Sequence, residues 1–186
     1  YGKRIMDECK MNGVDLTESL YLEGGATSTY LSILNESGDM ALAISHMDIF
    51  DRMSTEFIKS KNRIIQKSQL VVIDTNIPQE VIEFLLTTYK NMDFFLDTVS
   101  TTKARKVKHL IGYFHTIKPN RLEAEILSDR EINDREDLIA ASEYFLEQGV
   151  KNVYISLGKD GVFYNNGSSR GFAQGAPIKV INATGG

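Results

Sequence analysis

The feature that most restricts the fold is the alternation of short strand-like runs with helix-forming segments after residue 50. Four runs, QLVVID, DFFLDT, HTIKPN and VKNVYISLG, are separated by segments in which apolar residues recur at helical spacing. The runs lack the polar–apolar alternation of half-exposed strands, and continuous apolar runs are typical of parallel strands covered on both faces. We therefore predict an α/β fold with a central, mainly parallel sheet.

Further elements are predicted on either side of this core, all within a single domain spanning residues 1–186. Residues 27–47 alternate in polarity about the turn sequence ESGD, which predicts a β-hairpin. A second hairpin is predicted from DGVFYNNG and SRGFAQ. The predicted helices are residues 2–12, a segment capped by Ser54 or Thr55, IPQEVIEFLLTTYKN with Pro78 in its first turn, RLEAEILSD, and DREDLIAASEYFLEQG.

Composition argues against several classes of partner. The formal net charge is −4, with no long run of either sign, so nucleic-acid binding is not expected. Cys9 is the single cysteine, which excludes a disulfide framework and a cysteine-based metal site, and is consistent with a cytoplasmic location. No apolar stretch approaches the ~20 residues that cross a membrane, so no membrane partner is expected.

The carboxyl ends of the predicted strands are the expected place for a ligand, because open α/β sheets bind ligands there. Polar or glycine-rich residues follow all of these strands. They are DTN (74–76), DTVSTTK (97–103), KPNRLEAE (118–125), SLGKDG (156–161) and NATGG (182–186). The sequence therefore predicts a binding site at this edge of the sheet.

Asn120 and Glu123 have two interpretations that are compatible with each other. Their spacing predicts a capping box, in which each side chain bonds the other residue's backbone N–H at the start of a helix. Alternatively, Glu123 faces the site and holds a hydrated Mg²⁺, an ion that often takes few protein carboxylates together with substrate phosphate.

The two glycine-rich segments are also open to two interpretations. SLGKDG could hold phosphate with its backbone N–H groups, or it could be a hairpin turn built on Asp160-Gly161. NATGG could direct N–H groups at developing negative charge, or it could be an ordinary turn. Neither segment has the spacing of a P-loop, and no Gly-x-Gly-x-x-Gly occurs.

An enzyme based on histidine is not favoured by the sequence. His46, His109 and His115 lack the spacing of metal ligands, and no Gly-x-Ser-x-Gly elbow is present. We expect each histidine to be a surface or strand-end residue.

In combination, KPNRLEAE, ISLGKDGVFY and INATGG resemble the motifs of the ribokinase-like, or PfkB, carbohydrate kinase family, and YGKRIMDECKMNGVDL is similar to an early segment of that family. The resemblance extends over essentially the whole chain. It implies a three-layer α/β/α ribokinase-like fold, present here as a partial domain, with residues 27–47 as a β lid. It also implies ATP and Mg²⁺ as cofactors and a small sugar or nucleoside as acceptor.

The resemblance implies roles for individual residues. The nucleotide-binding residues it implies are Asn120, Glu123, Ser156, Gly158 and Gly161, with Glu123 holding Mg²⁺ through water; Thr184, Gly185 and Gly186 would form an anion hole. The family's general-base aspartate is expected just after Gly186, so no catalytic base is assigned within the 186 residues. The expectation is that the chain is truncated at both ends and that, alone, it has little or no activity.

A narrower resemblance is to pseudouridine kinases within this family, carried by TSTYLSILNESGDMALAISHMDIFDRM, DTVSTTKARKV and HTIKPNRLEAEILS. Thr98 stands where proline is usual. Asp97 and Lys103 would lie on the substrate side, although Asp97 could simply satisfy strand-end N–H groups and Lys103 could be a solvated charge. The lid would close over the sugar and could pair with a second subunit in a homodimer.

Two other functions remain open at this point. The chain could come from another sugar kinase of the same fold, acting on ribose, fructose or another nucleoside. It could also be a non-catalytic family member that binds a ligand or a partner.

Overall fold

A six-stranded sheet is the centre of the fold in the computed structural model, which describes residues 1–35 and 40–175. A separate two-stranded sheet comprises β1 (Thr29–Leu34) and β2 (Met40–His46). The large sheet contains β3 (Val71–Asp74), β4 (Phe94–Asp97), β5 (Thr116–Ile117), β6 (Asn152–Ser156), β7 (Val162–Asn165) and β8 (Arg170–Ala173), in that spatial order. Neighbours from β3 to β6 are parallel, whereas β6, β7 and β8 pair antiparallel. The predicted α/β fold with a mainly parallel sheet is thus confirmed.

In the described part of the chain, seven helices accompany the sheet, and those from α4 onward connect its parallel strands. They are α1 (Gly2–Met11), α2 (Thr55–Ser60), α3 (Asn62–Lys67), α4 (Gln79–Thr88), α5 (Thr101–Ala104), α6 (Arg121–Ser128) and α7 (Arg135–Gln148), with 3₁₀ segments at Asp48–Arg52, Arg105–Tyr113 and Gly158–Asp160. Ser54 rather than Thr55 caps α2, since its hydroxyl oxygen accepts from the Phe57 N–H at 3.2 Å. Pro78 is the N-cap of α4 and so lies just before the predicted first turn.

The segment between Ser54 and Lys67 forms two short helices that meet at Lys61. The Ser60 hydroxyl donates to the Phe57 carbonyl at 2.6 Å, next to this break. A serine side chain bonded to a nearby carbonyl in this way competes with the regular helix ladder. This bond coincides with the break, which apolar spacing alone does not reveal.

Burial along the strands refines the expectation that helices cover both faces of the sheet. Ile73, Leu96 and Val153 are buried on one face, whereas Val72 and Tyr154, which point the opposite way, are 67% and 39% exposed. Right-handed crossovers between parallel strands in sequential order place the connecting helices on the same face. Within the described residues, the helical covering of the parallel strands is accordingly one-sided at these positions.

The predicted hairpin at residues 27–47 is confirmed as the antiparallel pair β1 and β2, with a register shift between Ile33 and Leu34. Its ESGD turn lies outside the described residues. Apolar side chains remain about half exposed on both strands, including Leu31, Ile33, Leu42 and Ile44. The hairpin thus presents apolar surface that it does not bury itself.

Gly112 and Gly149 bring two backbones into close approach at the end of α7. A Cβ added to Gly112 would lie 2.1 Å from the Gln148 carbonyl oxygen, and one added to Gly149 would lie 2.9 Å from the Gly112 carbonyl oxygen. Gly149 also has φ +120°, a conformation that favours glycine. The contact between the 3₁₀ segment at Arg105–Tyr113 and the end of α7 therefore requires both glycines.

Among residues 1–35 and 40–175, none of the helices combines the length and the apolar character needed to span a bilayer.

Replacing Leu96 should test the position of the core. Leu96 is fully buried in β4, so Leu96→Ala should lower the free energy of unfolding by about 2–5 kcal/mol, as measured by urea denaturation. Leu70→Ala is the matched control, because Leu70 is 46% exposed and its loss should change stability by no more than about 0.5 kcal/mol. Equal losses in the two variants would contradict this placement of the core.

Candidate functional site

The carboxyl ends of the parallel strands lie side by side, as the sequence predicted. Asp74 at the end of β3 is in register with Asp97 at the end of β4. Asn120, beyond β5, forms an isolated parallel bridge with Ser156 at the end of β6. Four of the five predicted polar segments are thus brought to one edge. The fifth, with Thr184, Gly185 and Gly186, lies outside the described residues, so its role as an anion hole stays a prediction.

Asn120 and Glu123 form the predicted capping box at the start of α6. The Glu123 N–H donates to Asn120 Oδ1 at 2.9 Å, and the Asn120 N–H donates to Glu123 Oε2 at 2.8 Å. This reciprocal pairing satisfies two backbone donors that the first helical turn otherwise leaves free. It also fixes Glu123 at the point where β5 ends.

The Glu123 side chain is buried, although carboxylates are rarely buried without a partner. The Thr98 hydroxyl donates to its Oε2 at 2.5 Å. No Lys, Arg or His of the described residues lies within ion-pair distance of this carboxylate. The carboxyl group is therefore held by neutral donors, and no cation of the described residues pairs with it.

Thr98 and Thr75 lie in predicted strand-end segments, but the sequence analysis assigned neither of them a role in the site. Both are fully buried, and the Thr75 hydroxyl donates to the Thr98 carbonyl at 2.6 Å. The next residue, Val99, has φ +60°, which is rare for a β-branched side chain. The loop after β4 is therefore held in an unusual conformation, for which the sequence carries no recognisable signal.

Asp97 satisfies backbone groups at its strand end, as one of its two interpretations predicted. Its Oδ1 accepts from the Val99 N–H at 3.2 Å, and its Oδ2 lies 3.5 Å from Lys118 Nζ. The carboxylate thus supports the turn after β4 and has one cation nearby. Its substrate-side role remains a prediction.

Lys103 is not the freely solvated charge that one interpretation allowed. Its ammonium group donates to the Asn76 side chain, and the pair is partly buried. This bond connects α5 to the loop after β3. Lys103 therefore lies at the carboxyl edge of the sheet, where the substrate-side interpretation requires it to be.

Lys106 adds a second cation next to Lys103 and donates to the Ile77 carbonyl at 2.9 Å. Partial burial lowers the pKa of Lys106, and the charge of Lys103 lowers it further, whereas Asp51, Asp74 and Glu80 oppose the shift. The lowered pKa of Lys106 thus reflects burial first and the neighbouring Lys103 charge second.

SLGKDG forms the connection between β6 and β7, which confirms its hairpin interpretation. The Leu157 N–H donates to the Gly161 carbonyl at 2.8 Å and closes the loop. Gly161 has φ +87°, and a Cβ there would lie 2.2 Å from the Ala173 carbonyl oxygen. The loop is thus compact and requires glycine at this position, while its contact with phosphate stays a prediction.

A cleft of about 470 Å³ opens beside this loop and the start of α6. Its lining includes Asn120, Ser156 and Gly158, three of the predicted nucleotide-binding residues, together with Arg121. The volume lies within the range of ~300–1,000 Å³ typical of small-molecule sites. Glu123 and Gly161 do not line the cleft, but each directly follows a residue that does, Leu122 and Asp160 respectively.

The residues at this edge fit a magnesium–nucleotide complex only if the ion takes most of its ligands from water and phosphate. No group of three or more His, Cys, Asp or Glu side chains in residues 1–35 and 40–175 could form a cage for a metal ion. Mg²⁺ commonly binds through one or two carboxylates and takes its other ligands from water and substrate phosphate. A buried carboxylate without a cationic partner, next to a cleft, is compatible with that mode.

The histidines occupy the surface and strand-end positions that were expected. His109 Nε2 lies 3.0 Å from Glu83, His46 Nε2 lies 3.2 Å from Asp48, and His115 Nδ1 lies 2.8 Å from the Thr116 hydroxyl.

Comparison with known proteins identifies the family to which the chain belongs. The whole chain, residues 1–186, matches the pfkB family of carbohydrate kinases. The chain belongs to this family. It is 36% identical over 187 residues to the pseudouridine kinase of Escherichia coli, covering 100% of this chain and 59% of that protein.

Solved structures agree on the fold. A crystal structure from Clostridium perfringens, assigned by inference as a sugar kinase, is 47% identical with a TM-score of 0.84, covering 98% of this chain and 58% of its own. The ribokinase of Thermotoga maritima is 21% identical with a TM-score of 0.66, covering 83% and 50% of the two chains, and shows the fold alone. The predicted ribokinase-like α/β fold is confirmed, and the chain spans less than two thirds of these relatives.

Removing the charge of Lys103 should raise the pKa of Lys106. Lys103→Met leaves burial of Lys106 in place but removes the neighbouring positive charge, so the pKa should move up toward its ordinary value. The measurement is an NMR titration of ¹³C-dimethylated lysines. Lys90→Met is the control, since Lys90 is exposed beyond α4 and does not contribute to the shift. An unchanged Lys106 titration in Lys103→Met would contradict the coupling.

Proposed function

We propose that the complete protein is an ATP-dependent kinase that phosphorylates the 5′-hydroxyl of pseudouridine. The observation that carries this proposal is the buried, cation-free Glu123 carboxylate, fixed by the Asn120 capping box beside the cleft. Membership of the pfkB family supports phosphoryl transfer to a sugar or nucleoside hydroxyl. The 36% identity to a pseudouridine kinase supports the choice of acceptor.

The described residues would contribute positioning and charge rather than covalent chemistry. When bound, ATP would supply the phosphoryl group and Mg²⁺ would neutralise charge on its phosphates. Glu123 would orient that complex through water, while Asn120, Ser156 and Gly158 would line the path of the nucleotide. Thr184, Gly185 and Gly186 would stabilise negative charge on the transferred group, as the family resemblance implies.

On the acceptor side, Asp97 would approach the substrate from the end of β4 and Lys103 from α5. The bond between Lys103 and Asn76 holds the ammonium group at this edge. The hairpin β1–β2 would cover the acceptor and exclude water, which otherwise competes with the hydroxyl for phosphate. Its half-exposed apolar side chains would allow it to pair with the hairpin of a second subunit.

Glu123→Gln in the complete protein should lower magnesium–ATP-dependent turnover by roughly 10–100-fold, the usual range for residues that support a metal site. Folding should change little, because the amide oxygen can still accept from Thr98 and Asn120. Turnover and urea denaturation are measured on the same preparations.

Asp137→Asn is the matched control for this variant. Asp137 occupies the same capping-box position in α7 that Glu123 occupies in α6. Its replacement should leave turnover unchanged. If Glu123→Gln instead kept full turnover per folded molecule and lost only stability, as a simple cap would, Glu123 would have no role in nucleotide use.

The acceptor is tested by comparing kcat/KM of the complete protein for pseudouridine, ribose, fructose and adenosine. Pseudouridine should give the highest value. A higher value for ribose or fructose would place the protein among other sugar kinases of the family, and one for adenosine among other nucleoside kinases. The absence of phosphorylation of all four would contradict the proposed reaction.

A further inference from the structure

Thr98 lies at the centre of the hydrogen bonds that connect the ends of β3, β4 and β5. Its hydroxyl donates to Glu123 Oε2 at 2.5 Å across 25 positions of sequence. Its carbonyl accepts from the Thr75 hydroxyl at 2.6 Å and from the Ser100 N–H at 2.6 Å. One buried residue thus bonds to the loop after β3, to its own loop and to α6.

These bonds leave Thr98 little freedom to move. Its side chain is fully buried, and its backbone carbonyl already has two donors. The following residue, Val99, has a positive φ that a β-branched residue adopts only when its surroundings enforce it. Burial and these backbone hydrogen bonds therefore hold the Thr98 hydroxyl in a fixed position next to Glu123.

The hydrogen bonds that the described residues make to the Glu123 carboxylate engage only one of its two oxygens. Both hydrogen bonds that its carboxylate receives within the described residues, from Thr98 and from the Asn120 N–H, go to Oε2. Oε1 has no protein donor in residues 1–35 and 40–175, and no cation of that part of the chain neutralises the group. Two donors on one oxygen fix the rotation of the carboxylate and leave the other oxygen for a ligand.

We propose that Thr98 is a positioning residue that orients the Glu123 carboxylate toward the magnesium–nucleotide complex. This inference rests on the proposed function of Glu123. Mutation of a partner that orients a metal-associated carboxylate typically costs about 10–100-fold in metal affinity or activity.

The test measures binding of magnesium–ATP to the complete protein by isothermal titration calorimetry, without any acceptor. Thr98→Val removes the hydroxyl at nearly constant shape and should weaken magnesium–ATP binding about tenfold. ATP binding in the presence of EDTA should not change. Thr98→Ser keeps a hydroxyl and should restore affinity close to that of the parent protein.

Thr116→Val is the control, because Thr116 is a buried threonine whose hydroxyl bonds to His115 rather than to Glu123. It should bind magnesium–ATP as the parent does. If Thr98→Val did not fold, Thr98→Cys, which keeps the size of the side chain but only a weak donor, should show the same selective loss.

Two results would overturn the inference while the proposed function stands. One is normal magnesium–ATP binding by Thr98→Val when Glu123→Gln weakens it. The other is an equal loss with and without magnesium, which would indicate general disruption of the strand end. If Glu123→Gln itself bound magnesium–ATP normally, the proposed role of Glu123 would fail and the inference with it.

Discussion

The capping box between Asn120 and Glu123 is the interaction on which the candidate site depends. It begins α6 at the point where β5 ends, and it uses a carboxylate that also receives the Thr98 hydroxyl from the neighbouring strand end. A helix N-terminus, two strand ends and a buried carboxyl group therefore share one set of hydrogen bonds. The structural and functional interpretations of Glu123 are compatible because its two oxygens are used differently. Oε2 serves the fold, and Oε1 is not engaged by a donor of the described residues.

The parts of the fold that the sequence predicted are those with local causes. The strands were recognised from short apolar runs, the cap of α6 from the spacing of Asn120 and Glu123, and the end of α7 from Gly149. These features depend on residues within a few positions of each other, so the sequence carries them directly. The break at Lys61 was missed because apolar residues recur at helical spacing on both sides of it.

The parts that were missed depend on which strand ends become neighbours. The bond from Thr98 to Glu123 joins residues 25 positions apart, and the bond from Lys103 to Asn76 joins residues 27 positions apart. A threonine after a strand has many possible partners, and only the parallel register of β3, β4 and β5 selects these. The positive φ of Val99 is likewise imposed by its surroundings, against the preference of its side chain.

The contact between Gly112 and Gly149 has a consequence at the opposite end of the sheet. It sets where the chain leaving α7 can enter β6, and just beyond it the Lys151 and Asn152 N–H groups both donate to the His115 carbonyl, at 2.9 and 3.0 Å. That anchor aligns Thr116 with Asn152, and the same alignment continues to the bridge between Asn120 and Ser156. A slip of one residue would shift one strand by about 3.3 Å and reverse its faces. Gly112 and Gly149 thus help to set the strand register on which the cleft depends, although neither glycine lines that cleft.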